Sequence, residues 1–517
     1  MSLNAKFVTR VRITTALLVL VAFIIVGRLW VLQVMHGAEY ARRADAQTVR
    51  LESPLLSRGA IYFTTKDGTP VLAATLRPPQ DVATHSTSSG QALKQRYYPG
   101  RSLAAQTIGF VAYNNDDEQK GRYGLERYYD ATLTRSGENL YTNFFVQLFG
   151  TVQSVWDDSR ESQGDVVTTI EPSVQSELER TLRDYDTQWH PTLAGGIVMD
   201  PHTGEIVAMA ISPTFDLNSF NTVTDPVEYA NPMAQNVFEM GSIIKPLTVA
   251  AGLDSGAITE TETYNDTGCI TVDTKKICNY DFKARGVIPM QQILSQSLNV
   301  GASYVATKMG PDIMRDYFRN HYRLDQETGI DLPGEVHGLT GNLDGNRAVE
   351  FDTASFGQGI ALTPIETVRA LATLGNGGYL VTPHLVKAIK EIDGKTRTLG
   401  WGDPVQVLKP ETSTTISRML TTVVDTTLAK GDLKMEHYSI AAKTGTAQIA
   451  DPVNGGYYAD KYLHSFFGYF PSFNPRFVVF LFAKEPQGAP FASQTWAPPF
   501  KSLTQFLINY YNIAPDR

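Results

Sequence analysis

The sequence predicts an α+β fold, an antiparallel sheet covered by helices with an all-helical lobe inserted between its strands. Three observations carry this. From about residue 168 the chain opens with a helix and a hairpin, a long and largely helical middle follows, and two more strands and a last helix close it. A cleft between sheet and lobe is where a ligand would sit.

The N-terminus adds a different element. Residues 13–27 carry no charge, and apolar character resumes after Arg28, which gives about 20 residues if Arg28 snorkels toward the headgroups. Lys6, Arg10 and Arg12 precede this run, so the positive-inside rule puts residues 1–12 in the cytoplasm and the body outside, with a single span at 13–34. A cleaved signal peptide is the rival reading, but VGRLWVLQVM offers no convincing small-x-small cleavage site. The formal net charge of −8 and the lack of a polybasic run argue against broad attraction to nucleic acid.

Residues 35–165 are polar, interrupted and poor in helical periods, with an exposed low-complexity loop at 78–91, and read as a spacer or interaction module. Residues 166–517 have another texture. VVTTIEPSVQSELERTLRDY gives a helix from Pro172 with Val174, Leu178 and Leu182 on one face. AGGIVMDPHTGEIVAMAI reads as two strands around a turn from Asp200 to Gly204, and SFFGYFPSFNPRFVVFLFAK as two more around Asn474 and Pro475. FKSLTQFLINYY places Phe500, Leu503, Leu507 and Tyr510 on one helical face, and PIETVRALATL represents the helical middle.

The two cysteines lie in GCITVDTKKICNY. If Asp273 and Thr274 form a two-residue turn, Cys269 faces Cys278 closely enough for a disulfide; two free thiols at a loop edge are the alternative. Without nearby histidines they do not fill a zinc shell, and no metal or cofactor is expected.

Three short motifs carry chemistry. In EMGSIIKPL, Ser242 and Lys245 stand one helical turn apart, so the amine can reach the hydroxyl. With Ser242 as helix N-cap, Pro246 falls in the first turn, where its missing N–H has no partner to lose. The positive end of the helix and burial would together lower the Lys245 pKa toward a useful base. By itself a Ser-x-x-Lys occurs about once in any chain of this length, and a capping serine beside a solvated lysine is the plain alternative. Downstream, SQSLNVG offers Ser297 as a proton relay and the Asn299 amide as a holder of a peptide carbonyl, between helices opening near Pro289 and Val300. YSIAAKTGTAQ reads as a strand edge. Lys443 supplies positive charge, the Thr444 and Thr446 hydroxyls can bind a carboxylate, and Gly445 lets a substrate backbone approach. The Thr446 N–H joins that of Ser242 as an oxyanion hole. Ser-x-x-Lys, Ser-x-Asn and Lys-Thr-Gly in this order are the set used by penicillin-recognising serine enzymes.

At this point the chain resembles the class B penicillin-binding proteins, monofunctional peptidoglycan transpeptidases held by one N-terminal helix. RLWVLQV, RGAIYFTTKDG, RYYPG and GRYGLERYYDATL are similar to the family's β-rich pedestal, and VVTTIEPSVQ, DPHTGEIVAM, FGQGIALTP and SFFGYFP to its transpeptidase domain. FGQGI and the Ser-x-Asn form lean toward the division subgroup. The resemblance implies Ser242 as acylated nucleophile, Lys245 as its base, Ser297 as relay, Asn299 as a substrate-positioning amide, and Lys443, Thr444, Gly445 and Thr446 as the peptide-binding edge. It implies stem peptides as substrates, β-lactams as covalent inhibitors, and a membrane glycosyltransferase and divisome proteins as partners, on the outer face of a bacterial plasma membrane. Two departures stand out. Only residues 62–95 separate the RG and RYYP motifs, so most of the family's head subdomain is missing, and Tyr62 and Phe63 stand where Asp-Arg is usual.

Other readings share parts of this chemistry. A D,D-carboxypeptidase or β-lactamase would hand the same acyl group to water, but no Glu-x-x-x-Asn deacylation motif is evident in the lobe. A non-catalytic penicillin-binding sensor usually has extra spans or a cytoplasmic effector domain, and only residues 1–12 precede the span here.

Overall fold

Helix Pro172–Trp189 begins where the sequence places it. Pro172 occupies the first turn, the Glu171 carboxylate accepts from the Val174 N–H at 2.7 Å as the cap, and Val174, Leu178 and Leu182 are buried. The computed structural model describes residues 58–76, 96–113, 119–135 and 163–517. The expected anchor at 13–34 and the loop at 78–91 lie outside the described residues. Among the described residues no helix is long and apolar enough to cross a membrane.

Five antiparallel strands form the central sheet in the order Ala441–Ala450, Tyr457–Phe470, Phe477–Lys484, Leu193–Met199, Ile206–Ser212. The two hairpins read from the sequence are therefore joined side by side, and Ala441–Ala450 is left at an edge. Helix Ala492–Tyr511 buries Phe500, Leu503 and Leu507, with the Phe500 ring 4.5 Å from Phe466 of the sheet. Its Trp496 stacks on Tyr185 of the first helix with ring centroids 3.7 Å apart, so the two terminal helices meet on one face.

The lobe between Ser212 and Ala441 contains helices Lys245–Asp254, Gln291–Ser295, Asn299–Asp316, Ala348–Ala354, Pro364–Ala372 and Pro410–Thr426. The all-helical lobe that was expected is not what forms: three two-stranded ribbons interrupt it, Cys269–Val272 with Lys275–Cys278, Thr263–Asp266 with Gly286–Pro289, and Tyr379–Leu380 with Val405–Gln406, and Val386–Glu391 with Thr396–Thr398 leaves it for a second sheet. Pro289 ends a strand, where its missing N–H is harmless, and the helix expected there starts at Gln291. Asp273 and Thr274 have φ of 46° and 72°, the left-handed pair that a tight hairpin turn requires. Cys269 and Cys278 face each other in register across that hairpin and are joined as a disulfide.

A second, six-stranded sheet runs Thr396–Thr398, Val386–Glu391, Gly164–Thr168, Ile61–Thr64, Pro70–Leu76, Arg96–Tyr97. It combines strands from the first region with two from late in the chain, and residue 165 falls inside one of its strands. Beside it Glu126, fully buried, receives Arg58 at 2.8 Å and Arg96 at 2.6 Å. The two buried arginines pair with the buried carboxylate here, which offsets the cost of burying their charges.

Candidate active site

Ser242 lies in the 3-10 turn Gly241–Ile244, which runs straight into helix Lys245–Asp254. It is not the helix N-cap, contrary to expectation. Ile244 holds that position with helical φ and ψ, and a capping side chain needs an extended backbone there. Pro246 does fall in the first turn, as its residue type demands.

The Lys245 side chain is wholly buried. Its Nζ donates to the Ser297 carbonyl at 2.6 Å and to Asn299 Oδ1 at 2.8 Å, and lies 3.3 Å from Ser297 Oγ. No carboxylate is among these partners. Burial, and next the charge of Lys443, hold its pKa well below that of an ordinary lysine. A neutral amine has two N–H groups and one lone pair. The carbonyl and the amide oxygen take the two donors, which leaves the lone pair to accept a hydroxyl proton.

Ser297 stands between the two lysines. Its Oγ also accepts from Lys443 Nζ at 3.0 Å, and Lys443 donates to the Thr444 carbonyl at 2.9 Å. Burial pushes Lys443 down to about 7. The Ser297 backbone has φ of 54°, a left-handed conformation that costs a non-glycine residue on the order of 1 kcal/mol and here aims the hydroxyl at both amines. Asn299 is less free than expected for an amide that holds substrate. Its Oδ1 binds Lys245, and its Nδ2 donates to the Cys278 carbonyl at 2.9 Å, which links Lys245 to the disulfide hairpin. Asn279 steadies the same junction: its Oδ1 accepts from Val300 N–H at 3.1 Å, and its Nδ2 donates to the buried Asp266 at 2.9 Å.

Lys443, Thr444, Gly445 and Thr446 lie on the edge strand Ala441–Ala450. Thr444 and Thr446 are partly exposed, two residues apart and so on one face, while Lys443 and Gly445 are buried on the other. A β-carbon on Gly445, the residue expected to let a substrate backbone approach, would stand 2.6 Å from the Met240 carbonyl and 3.2 Å from the Ile243 N–H, so its bareness admits the Ser242 turn. Gly241, at φ 66°, meets the strand from the other side, where a β-carbon would come within 3.0 Å of Ala447. The Thr446 hydroxyl accepts from the Ala492 N–H at 3.1 Å, fixing the strand to the start of the last helix.

Sequence reading missed the residues that hold this turn. Ser465 donates to the Met240 carbonyl at 2.8 Å, the Gly241 N–H donates to the Gly357 carbonyl at 3.1 Å, and the Phe356 ring lies 6.0 Å from Lys245 Nζ. Phe356 and Gly357 belong to the FGQGI segment, whose only signal was its likeness to a family motif.

A family model described as the penicillin binding protein transpeptidase domain matches residues 194–505, more than half of the chain. Among curated proteins, stage V sporulation protein D of Bacillus subtilis is 30% identical over 76% of this chain and 60% of its own length. PbpB of Mycolicibacterium smegmatis is 29% identical over 81% and 66%, and the peptidoglycan D,D-transpeptidase FtsI of Escherichia coli 27% identical over 82% and 68%. The chain thus spans about six-tenths to two-thirds of the length of these relatives. Among solved structures, penicillin binding protein 3 of Mycobacterium tuberculosis in its apo form aligns with a TM-score of 0.74 at 26% identity, covering 89% of this chain and 97% of that one. Its complex with ampicillin aligns with a TM-score of 0.75 over 89% and 96%. The three motifs thus stand together around Ser297 on a matching fold, and the chain belongs to the penicillin-binding-protein transpeptidase family.

Proposed function

We propose that the protein is a peptidoglycan D,D-transpeptidase that cross-links stem peptides through an acyl-enzyme on Ser242. The observation that carries this reading is Lys245, a fully buried amine without a carboxylate partner, one turn from the serine. As Ser242 Oγ bonds to the carbonyl carbon of a D-alanyl-D-alanine bond, its proton passes to the Lys245 lone pair. The N–H groups of Ser242 and Thr446 serve the developing oxyanion. The C–N bond then breaks, and the departing D-alanine nitrogen takes a proton relayed through Ser297. An amine from a second strand attacks the ester carbon, returns a proton through the same relay and releases Ser242, forming the cross-link. Lys443, Thr444 and Thr446 hold the donor's carboxylate at the strand edge, and Asn299 keeps Lys245 and the donor in place.

β-Lactams are the covalent inhibitors of this scheme, in line with the ampicillin and aztreonam complexes of the mycobacterial relative. The FGQGI and Ser-Leu-Asn segments favour a role at the division septum, with residues 13–34 as the anchor, residues 35–165 as a pedestal, and a membrane glycosyltransferase and divisome proteins as partners. Transfer to water in place of an amine is the second reading. Fluorescent penicillin tests the scheme: the full chain in detergent is expected to take a lasting covalent label and Ser242→Ala none. An unlabelled wild-type protein sinks the acyl-enzyme. A label lost within seconds favours a hydrolase, and an assay on lipid-linked strands with an acceptor amine then separates transfer from hydrolysis.

A further inference from the structure

Three residues ahead of Ser242 stands Glu239, a carboxylate that the acyl-transfer scheme does not use. Its Oε1 accepts from the Gly359 N–H at 3.1 Å and from the Tyr457 hydroxyl at 3.2 Å, while its Oε2 is buried and has no partner. These two donors come from elements that both adjoin the site. Tyr457 opens the strand Tyr457–Phe470 that pairs with the catalytic edge strand, opposite Ala450. Gly359 belongs to the segment that backs the nucleophile turn.

That backing segment touches the turn at two backbone points. Phe238 and Leu362 exchange a pair of hydrogen bonds, each 2.9 Å, and Gly241 donates to Gly357 at 3.1 Å. Between those points the Gly359 N–H is tied to the nucleophile segment by the Glu239 side chain. Burial pushes the Glu239 carboxyl up, as a carboxylate with one unpartnered oxygen requires.

We infer that Glu239 is a positioning residue for the nucleophile: by holding Gly359 and Tyr457 on one oxygen it fixes the Ser242 turn between the backing segment and the edge-strand hairpin. This rests on the reading that Ser242 is acylated. Without the carboxyl, two donors lose their acceptor and the turn is free to shift. A displacement of about 1 Å at a reacting atom is enough to cost roughly 100-fold in rate. The side chain touches no reacting atom, so its loss acts on the rate of acylation and not on recognition.

The test is acylation of the full chain by a chromogenic β-lactam, resolved into the limiting rate constant and the half-saturating concentration, with the thermal unfolding midpoint of each variant. Glu239→Ala is expected to lower the limiting rate by about 10- to 100-fold with the half-saturating concentration unchanged. Glu239→Gln keeps an acceptor oxygen for both donors and is expected within about threefold of wild type. Tyr457→Phe, which loses one donor, falls between. If Glu239→Ala does not fold, the pair Tyr457→Phe slowed and Glu239→Gln unslowed carries the same information. An unslowed Glu239→Ala, or a Glu239→Gln as slow as Glu239→Ala, overturns the inference while leaving the acyl-enzyme intact. A wild-type protein that is never acylated overturns the reading beneath it.

Discussion

Gly445 and Met240 stand so close that a β-carbon on the glycine would lie 2.6 Å from the methionine carbonyl. Backbone cannot yield there without moving Ser242, which is two residues on. Gly445→Ala is therefore expected to cut the rate of covalent labelling by fluorescent penicillin at least roughly 100-fold while leaving the protein folded. Labelling at the wild-type rate would mean that the turn and the strand are less tightly joined than their geometry requires.

Lys245 and Lys443 share the Ser297 hydroxyl, and the charge of one lowers the pKa of the other. In the proposed scheme acylation needs neutral Lys245, so its rate rises with pH through the pKa of that amine and then levels off. Lys443→Met removes the repulsion and leaves only burial acting on Lys245, whose pKa then moves back toward that of an ordinary lysine. The acid limb of the acylation profile is expected to shift to higher pH. The position of that limb, and not the height of the plateau, is the measurement, since losing Lys443 also weakens the relay. An unmoved or downward limb contradicts the coupling.

How far the site was legible depends on how local each constraint is. The order of Ser242-x-x-Lys245, Ser297-x-Asn299 and Lys443-Thr444-Gly445 is written in short segments whose residue types already carry the chemistry. The disulfide was legible only on the condition of a turn at Asp273 and Thr274, a condition that the in-register pairing of Cys269 with Cys278 meets. The capping role given to Ser242 failed because the conformation of the turn is set by Gly357 and Ala447, far away in sequence. The contact of Gly445 with the Ser242 turn was not legible for the same reason, since no spacing in the chain announces it. The second sheet, which pairs Gly164–Thr168 with Val386–Glu391, is likewise a long-range event without a local signature.

Asn299 joins Lys245 to the Cys278 carbonyl, so the disulfide hairpin bears on the proposed base. Cys269→Ser with Cys278→Ser opens a short loop and is expected to cost about 2–3 kcal/mol of stability. Acylation should slow beyond what that loss alone explains, because a looser Cys278 segment lets the Asn299 amide and Lys245 drift together. Urea denaturation gives the first quantity and β-lactam acylation at a temperature where both proteins are fully folded gives the second. An unchanged rate under those conditions would confine the hairpin to a structural role.

Tyr129 donates to Asp331 Oδ2 at 3.0 Å, and Leu385 N–H donates to Oδ1 at 2.7 Å, so one fully buried carboxyl ties the first region of the chain to the residue that leads into the strand Val386–Glu391. Burial raises Asp331 to about 7. An unfolded aspartate titrates near 3.9, so between about pH 4 and pH 7 the folded protein holds a proton that the unfolded chain has lost. The contribution of this group is fully present below about pH 4 and declines as pH rises through 7. Asp331→Asn cannot titrate. The drop in stability from pH 5 to pH 8, read from urea midpoints, should thus be smaller in the variant than in wild type, by up to a few kcal/mol. Equal drops in the two proteins would mean that Asp331 stays ionised in the folded state, and that Tyr129 and Leu385 stabilise its charge more than burial opposes it.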